Sequence, residues 1–171
     1  MMIFDRKEKI LLLFFITFPL LCSCFMNGDS GMNEKKKADT RMEQIIAAIK
    51  DKDRTGLKAL FSKQAINEAN DFDSCIDYLF NFLQDDVKSW ERYKWSSDVS
   101  LEYGKKSKML RSWYTVITEK NKYSFFIIDF TEETINPDNF GLYTLRVIKT
   151  EDEEIEFTYW QDMQIAGIYR P

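Results

Sequence analysis

The sequence predicts an α+β domain whose helices come first and pack on one face of a curved antiparallel sheet. Two patterns carry that prediction. Up to Arg92 the apolar residues recur at helical spacing, and after Arg92 they alternate with polar ones at period two. A third observation, a basic leader followed by a short apolar run, sets residues 1–23 apart as a signal peptide.

Met42, Ile45, Ile46 and Ile49 fall at i, i+3, i+4 and i+7, so a first helix is expected over residues 40–51, with Asp39 or Thr40 as its N-cap. Asp53 is placed to cap a second, short helix with Leu57, Leu60 and Phe61 inward. Ser62 is placed to cap a third through Ile66 and Ala69. In "DFDSCIDYLFNFLQDDVKSWER" the residues Phe72, Ile76, Leu79, Phe80, Leu83, Val87 and Trp90 keep helical spacing and predict the longest helix, with Cys75 at the edge of its stripe as a small core residue.

Trp95, Ser97, Val99, Leu101 and Tyr103 then alternate as a first strand, "YGKKSK" reads as a polar turn, and Met109–Thr118 reads as a second strand. After the tight turn "EKNK", the segment "YSFFIIDFT" is apolar on both faces and belongs in the middle of the sheet. The loop "EETINPDNFG" carries turn residues, with Asn136, Asp138 and Asn139 suited to local Asx bonds. The strand "LYTLRVIKT", an acidic turn "EDEE" and a last strand "IEFTYW" complete the sheet.

The N-terminal run from Ile10 to Leu21 is twelve residues long and contains Thr17 and Pro19. A spanning helix needs about 20 apolar residues, so this run is too short to cross a membrane alone. It follows Arg6, Lys7 and Lys9 as the core of a secretory signal does. Leu21-Cys22-Ser23-Cys24 resembles the bacterial lipobox, which implies cleavage before Cys24 and a diacylglycerol on its sulfur. Cys22 fits less well, because Leu20 and Leu21 precede it. Two or three acyl chains make a stable anchor, so the expected partner at this end is membrane lipid. The expected location is the outer face of a cell membrane. The expected layout is a signal over residues 1–23, a lipidated Cys24 and flexible linker over 24–39, and one α+β domain over 40–171.

Composition excludes several function classes. The full chain carries 24 Lys and Arg against 28 Asp and Glu; without the leader's three bases and two acids the balance is 21 against 26, a net charge of −5. An acidic domain of this kind is not a nucleic-acid binder, since phosphate neutralisation needs basic patches. The chain has no histidine, which removes Ser-His-Asp and Cys-His catalysis and every His-ligated zinc pattern. Only Cys75 remains beyond the lipobox, so no disulfide forms within the domain. No motif asks for a cofactor, and "EDEE" lacks the spaced ligands of a calcium loop.

The segment "RMEQIIAAIKDKDRTGLKALFSKQA" resembles the opening of nuclear transport factor 2-like domains. More of the chain, through "DFDxxIDYLFxF", "SWERYKWSS", "YGKKSKMLRSWYTV", "INPDNFGLYTLRV" and "FTYWQDMQIAGIYRP", resembles a family of Gram-positive lipoproteins called domain of unknown function 5104, over about residues 38–171. The resemblance implies a cone of helices and bent sheet around a cavity, and implies no activity. Members of that broad fold include isomerase-like and cyclase-like enzymes as well as binding modules.

Within such a cone Asp129 is the leading candidate for chemistry. It follows four apolar residues, shares parity with Phe125 and Ile127, and is costly to bury unpaired. Arg111 and Arg146, in neighbouring strands, are the candidate partner charges. The functional reading makes Asp129 a general base or ligand anchor with a raised pKa; the structural one makes it half of an Asp-Arg pair. Trp90, Trp95, Trp113, Tyr114, Tyr159 and Trp160 are candidates to line an aromatic pocket or simply to fill the core. The leading expectation is therefore a non-catalytic, lipid-anchored module that binds a small ligand or an envelope protein through a cone-shaped pocket between helices and sheet. The alternatives are an isomerase- or cyclase-type enzyme with Asp129 as base, and a regulatory partner of another envelope protein.

Overall fold

The computed structural model describes residues 27–83 and 85–170, apart from the side chains of residues 27–30, 160 and 161. The signal and lipobox residues, Cys22 and Cys24 included, lie outside the described residues. Among the described residues four helices come first: α1 (Asn27–Lys50), α2 (Arg54–Ala59), α3 (Lys63–Glu68) and α4 (Phe72–Phe82). The strands β1 (Val87–Glu102), β2 (Lys105–Thr118), β3 (Lys122–Glu133) and β4 (Gly141–Lys149) follow. Two short helices, α5 (Glu153–Glu156) and α6 (Trp160–Met163), precede β5 (Gly167–Ile168). The chain divides into two compact units, Met1–Glu34 and Lys35–Pro171. Residues 27–34 of the first are helical, and the second holds every element after α1.

The sheet has five strands in the order β1-β2-β3-β4-β5. The first four run antiparallel in sequence order, and β5 lies parallel to β4. The apolar-on-both-faces segment is β3, in the middle as expected. On one face Tyr123, Phe125 and Ile127 join Met42, Ile45, Leu57, Ile76 and Leu79 of the helices in the main core. On the other face Phe126 and Ile128 meet Trp113 and Met163, with Phe157 packed against them. Each fully buried side chain of this size contributes about 1.5–3 kcal/mol of transfer free energy, so both faces of β3 need a cover. Two expected caps are in place: Asp53 accepts from the Gly56 N–H at 2.8 Å, and Ser62 accepts from the Ala65 N–H at 3.0 Å. Cys75 is a buried free thiol on α4, its pKa raised by burial.

Four elements differ from the sequence expectation. Helix α1 begins at Asn27 rather than at residue 40, so part of the expected linker is helical and neither Asp39 nor Thr40 is an N-cap. Ala38 is buried, and Asp39 accepts from Arg92 and from the Tyr114 hydroxyl, so this stretch is tied to the sheet by polar contacts that no apolar stripe reveals. Helix α4 stops at Phe82, and Val87 and Trp90 belong to β1. Asp85 and Asp86 follow this helix, where carboxylates oppose the dipole, and Trp90 pairs across to Val116.

The first hairpin turn is tighter than "YGKKSK". Tyr103 and Gly104, with φ of 48° and 79°, form a two-residue turn between Glu102 and Lys105, and the lysines are strand. Lastly, "IEFTYW" is not a strand: its acidic lead-in forms α5, which gathers carboxylates at a helix start. The folded-back segment brings Phe157 and Met163 over the second face of β3, and the place beside β4 goes to Gly167 and Ile168.

The chain between α2 and α3 is clipped to the start of β4. Ser62 N–H donates to the Leu142 carbonyl at 2.8 Å, and Leu142 N–H donates to the Leu60 carbonyl at 2.9 Å. Gly141, with φ of 115°, lies so close to this clip that a Cβ would stand 3.0 Å from the Leu60 carbonyl oxygen. Gly104 also has positive φ but nothing within 4 Å. Gly104→Ala is therefore expected to cost only the backbone penalty of about 1–2 kcal/mol, and Gly141→Ala more, because backbone must move. Denaturant unfolding of the two variants checks the order; equal losses would contradict the clip.

Candidate functional site

Asp129 sits near the C-terminal end of β3, paired across to Leu110 of β2 and Leu142 of β4, with a register shift between Ile128 and Asp129. Its side chain is on the helix side and 5% exposed. Arg41 of α1, not Arg111 or Arg146, supplies the partner: its Nε donates to Asp129 Oδ2 at 3.0 Å. Arg41 lies one turn before Ile45 and two before Ile49, a cation in line with the apolar stripe of α1. That spacing is the signal in the sequence that could have found it. Asp129 Oδ1 is buried and has no hydrogen-bond partner among the described residues. Burial pushes the Asp129 carboxyl above the ordinary carboxylate range, against the pull of Arg41 and the weaker field of Lys37.

Tyr114 and Trp90 also face the helices, and their rings meet edge-to-face at 5.6 Å between centroids. The Tyr114 hydroxyl donates to Asp39 Oδ1 at 3.2 Å, and Arg92 bonds both Asp39 and the Lys35 carbonyl. Burial raises the Tyr114 phenol well above its ordinary pKa. These two aromatics thus serve a network that fastens α1 to the sheet.

Arg111 and Arg146 project from the opposite face, beside Ile128 and Phe126 respectively, which is why neither reaches Asp129. Arg111 pairs with Asp98 and donates to Ser96 Oγ at 3.2 Å. Arg146 is buried, pairs with Glu156 of α5, and stacks its guanidinium 3.7 Å from the Tyr169 ring centroid. The structure therefore brings Tyr114 and Trp90 together, and separates Asp129 from both expected partners. The loop residues behave differently from expectation too. Asn136 Nδ2 donates to Gln64 and Asp138 pairs with Lys63, while Glu133 accepts the Ile135 and Asn136 N–H groups.

The face that carries Arg111 and Arg146 also carries a cleft of about 420 Å³, lined by Tyr93, Lys94, Trp113, Thr150, Glu153, Glu154 and Phe157. Lys94 holds its ammonium 4.6 Å from the centroid of the Trp113 ring. Glu153 accepts from the Tyr93 hydroxyl through one oxygen and from Ser124 Oγ, at 2.9 Å, through the other. Burial, and then the bond to Glu153, raise the Tyr93 phenol. Tyr93 and Lys94 are consecutive residues, yet both line the cleft. Regular alternation forbids this, but the register shift between Arg92 and Lys94 supplies the bulge that permits it. Of these residues the sequence marks Trp113 as a pocket candidate and Glu153 and Glu154 as part of an acidic turn.

Helices followed by a mostly antiparallel five-stranded sheet define an α+β protein. Residues 44–150, more than half the chain, match the family described as Domain of unknown function (DUF5104), and the chain belongs to that family. The match takes in all four antiparallel strands and ends before α5. No curated protein matches the chain.

The folded-state pKa of Asp129 lies above the unfolded one, so the folded form holds the proton more tightly. Its contribution to stability is present at acid pH and is lost as pH rises from the ordinary carboxylate range through the raised value. Arg41→Ala, which strands a buried carboxylate, should cost about 3–5 kcal/mol near neutrality and regain part of that on acidification. Asp129→Asn should remove this share of the pH dependence. Thermal melts at about pH 4 and about pH 8 test both; an Arg41→Ala loss of equal size at the two pH values would contradict the pairing.

Proposed function

We propose that the chain is a membrane-tethered, non-catalytic binding module held at the outer face of the cytoplasmic membrane by diacylglycerol on Cys24. The observation that carries the binding reading is the engagement of Asp129 by Arg41 within a packed interior. A general base must reach a substrate proton, and this carboxylate faces a guanidinium and apolar neighbours instead. The helix-then-sheet order supports placing the fold with the nuclear transport factor 2-like domains. In this chain the interior between helices and sheet is occupied by Met42, Ile45, Ile76, Leu79, Tyr114 and Phe125. A concavity suited to a ligand or envelope partner is the aromatic cleft on the opposite sheet face, whose volume of about 420 Å³ is within the range of ligand sites.

Among the described residues no helix is long and apolar enough to cross a membrane, so attachment rests on the lipobox. Cys24→Ala should yield a chain without the diacylglycerol mass that partitions away from membranes. Membrane fractionation with intact mass spectrometry checks this; unchanged attachment of the variant would overturn the anchor. For the binding reading, the full chain and its Asp129→Asn variant should retain the same unmodified companions on purification in detergent. Turnover of a companion by the wild type alone would favour the isomerase- or cyclase-type alternative.

A further inference from the structure

We infer that the outer-face cleft is a receptor for an alkylammonium group, whose contact with the Trp113 ring is made in the free protein by the ammonium of Lys94. Three observations converge there. The first is aromatic lining: Tyr93 from β1, Trp113 from β2 and Phe157 after α5 stand around one open cleft. The bulge at Tyr93 is what turns its ring to that side. The second is that the cleft already receives a cation, since the Lys94 ammonium lies 4.6 Å from the Trp113 centroid, within the reach of a cation–π contact.

The third is charge. Glu153 is partly buried and is bonded only by two neutral hydroxyls, Tyr93 and Ser124, and no cationic side chain lies within ion-pair distance of it among the described residues. Glu154 stands beside it on the same wall. A carboxylate bonded only by neutral donors lacks a counter-cation, and an ammonium that enters between the Trp113 face and this wall supplies one, which the tethered Lys94 does not. The Lys94 tether is flexible and its ammonium strongly hydrated, so an incoming ammonium displaces it to solvent with no bond made or broken. The family match covers Tyr93, Lys94 and Trp113 and stops before Glu153, so the acidic wall belongs to the C-terminal segment of this chain.

Ammonium binding rests on the reading of the chain as a binding module. The test uses the full lipidated chain in detergent, titrated calorimetrically and by tryptophan fluorescence with n-butylammonium and tetramethylammonium, and with tert-butyl alcohol as the neutral control. Both cations are expected to bind saturably and the alcohol is not. Lys94→Ala, which removes the competing ammonium, should bind them about threefold tighter or more, and Glu153→Gln about tenfold weaker. Lys94→Ala is the deciding variant, because a merely damaged fold does not improve affinity. Further arms with a lysine-containing peptide and with phosphatidylethanolamine vesicles identify whether the ammonium is borne by protein or by lipid.

Absence of saturable cation uptake by Lys94→Ala, or equal uptake of the alcohol, would overturn the ammonium assignment. If the purified chain then still carries a companion of another class whose release follows substitution in the cleft, the binding-module reading survives alone. Conversion of that companion would overturn both.

Discussion

The constraint on which the rest depends is that β3 is apolar on both faces and therefore has to be covered twice. Tyr123, Phe125 and Ile127 look one way and Phe126 and Ile128 the other, all essentially inaccessible to water. A sheet with helices on one side alone would leave Phe126 and Ile128 in solvent. The helices α1 to α4 supply one cover. The second comes from the chain after β4, which turns back through α5 and α6 so that Phe157 and Met163 close over Trp113, Phe126 and Ile128. The short parallel β5 then fixes the end of that return against β4.

Double burial also governs where charge is tolerated. A charge taken into such a structure has to be met by an opposite one, since an uncompensated buried ion is far more costly than a satisfied pair. Asp129 on the helix side is met by Arg41, and Arg146 on the far side by Glu156. Each pair joins β3 or β4 to the segment covering that face, so the ion pairs fix where the covers sit. The partner of Asp129 follows from this geometry: α1 is the element packed over that end of the strand, whereas Arg111 and Arg146 point through to the other face. The cleft is a consequence of the same folding back, because α5 and Phe157 form one wall and the bulged edge strand with Trp113 forms the other.

Much of the architecture was legible because it is written in apolar periodicity. The caps at Asp53 and Ser62, the central place of "YSFFIIDFT" and the burial of Asp129 all follow from spacing and parity. What was not legible depends on contacts far apart in sequence or on local departures from regular geometry. Arg41 and Asp129 are separated by 88 positions, and the stretch of α1 from Lys35 to Asp39 is docked by Asp39 and Arg92 beside the single buried Ala38, with no apolar stripe to mark it. Val87 and Trp90 fit a helical stripe and a strand equally well, and strand pairing with β2 decides between them. The cleft depends on a bulge at Tyr93 that leaves no mark in composition, so spacing points to Trp113 but not to Tyr93 or Lys94, and Glu153 reads only as part of the acidic turn "EDEE".

Amide hydrogen exchange resolved along the strands tests double burial most directly. If β3 is sealed on both faces, the amides of residues 123–128 exchange only through global unfolding and are the slowest in the domain, while the exposed distal half of β1, residues 97–102, exchanges by local opening. Exchange of the β3 amides at rates like those of distal β1 would contradict the account, because one face of the strand would then be open to water.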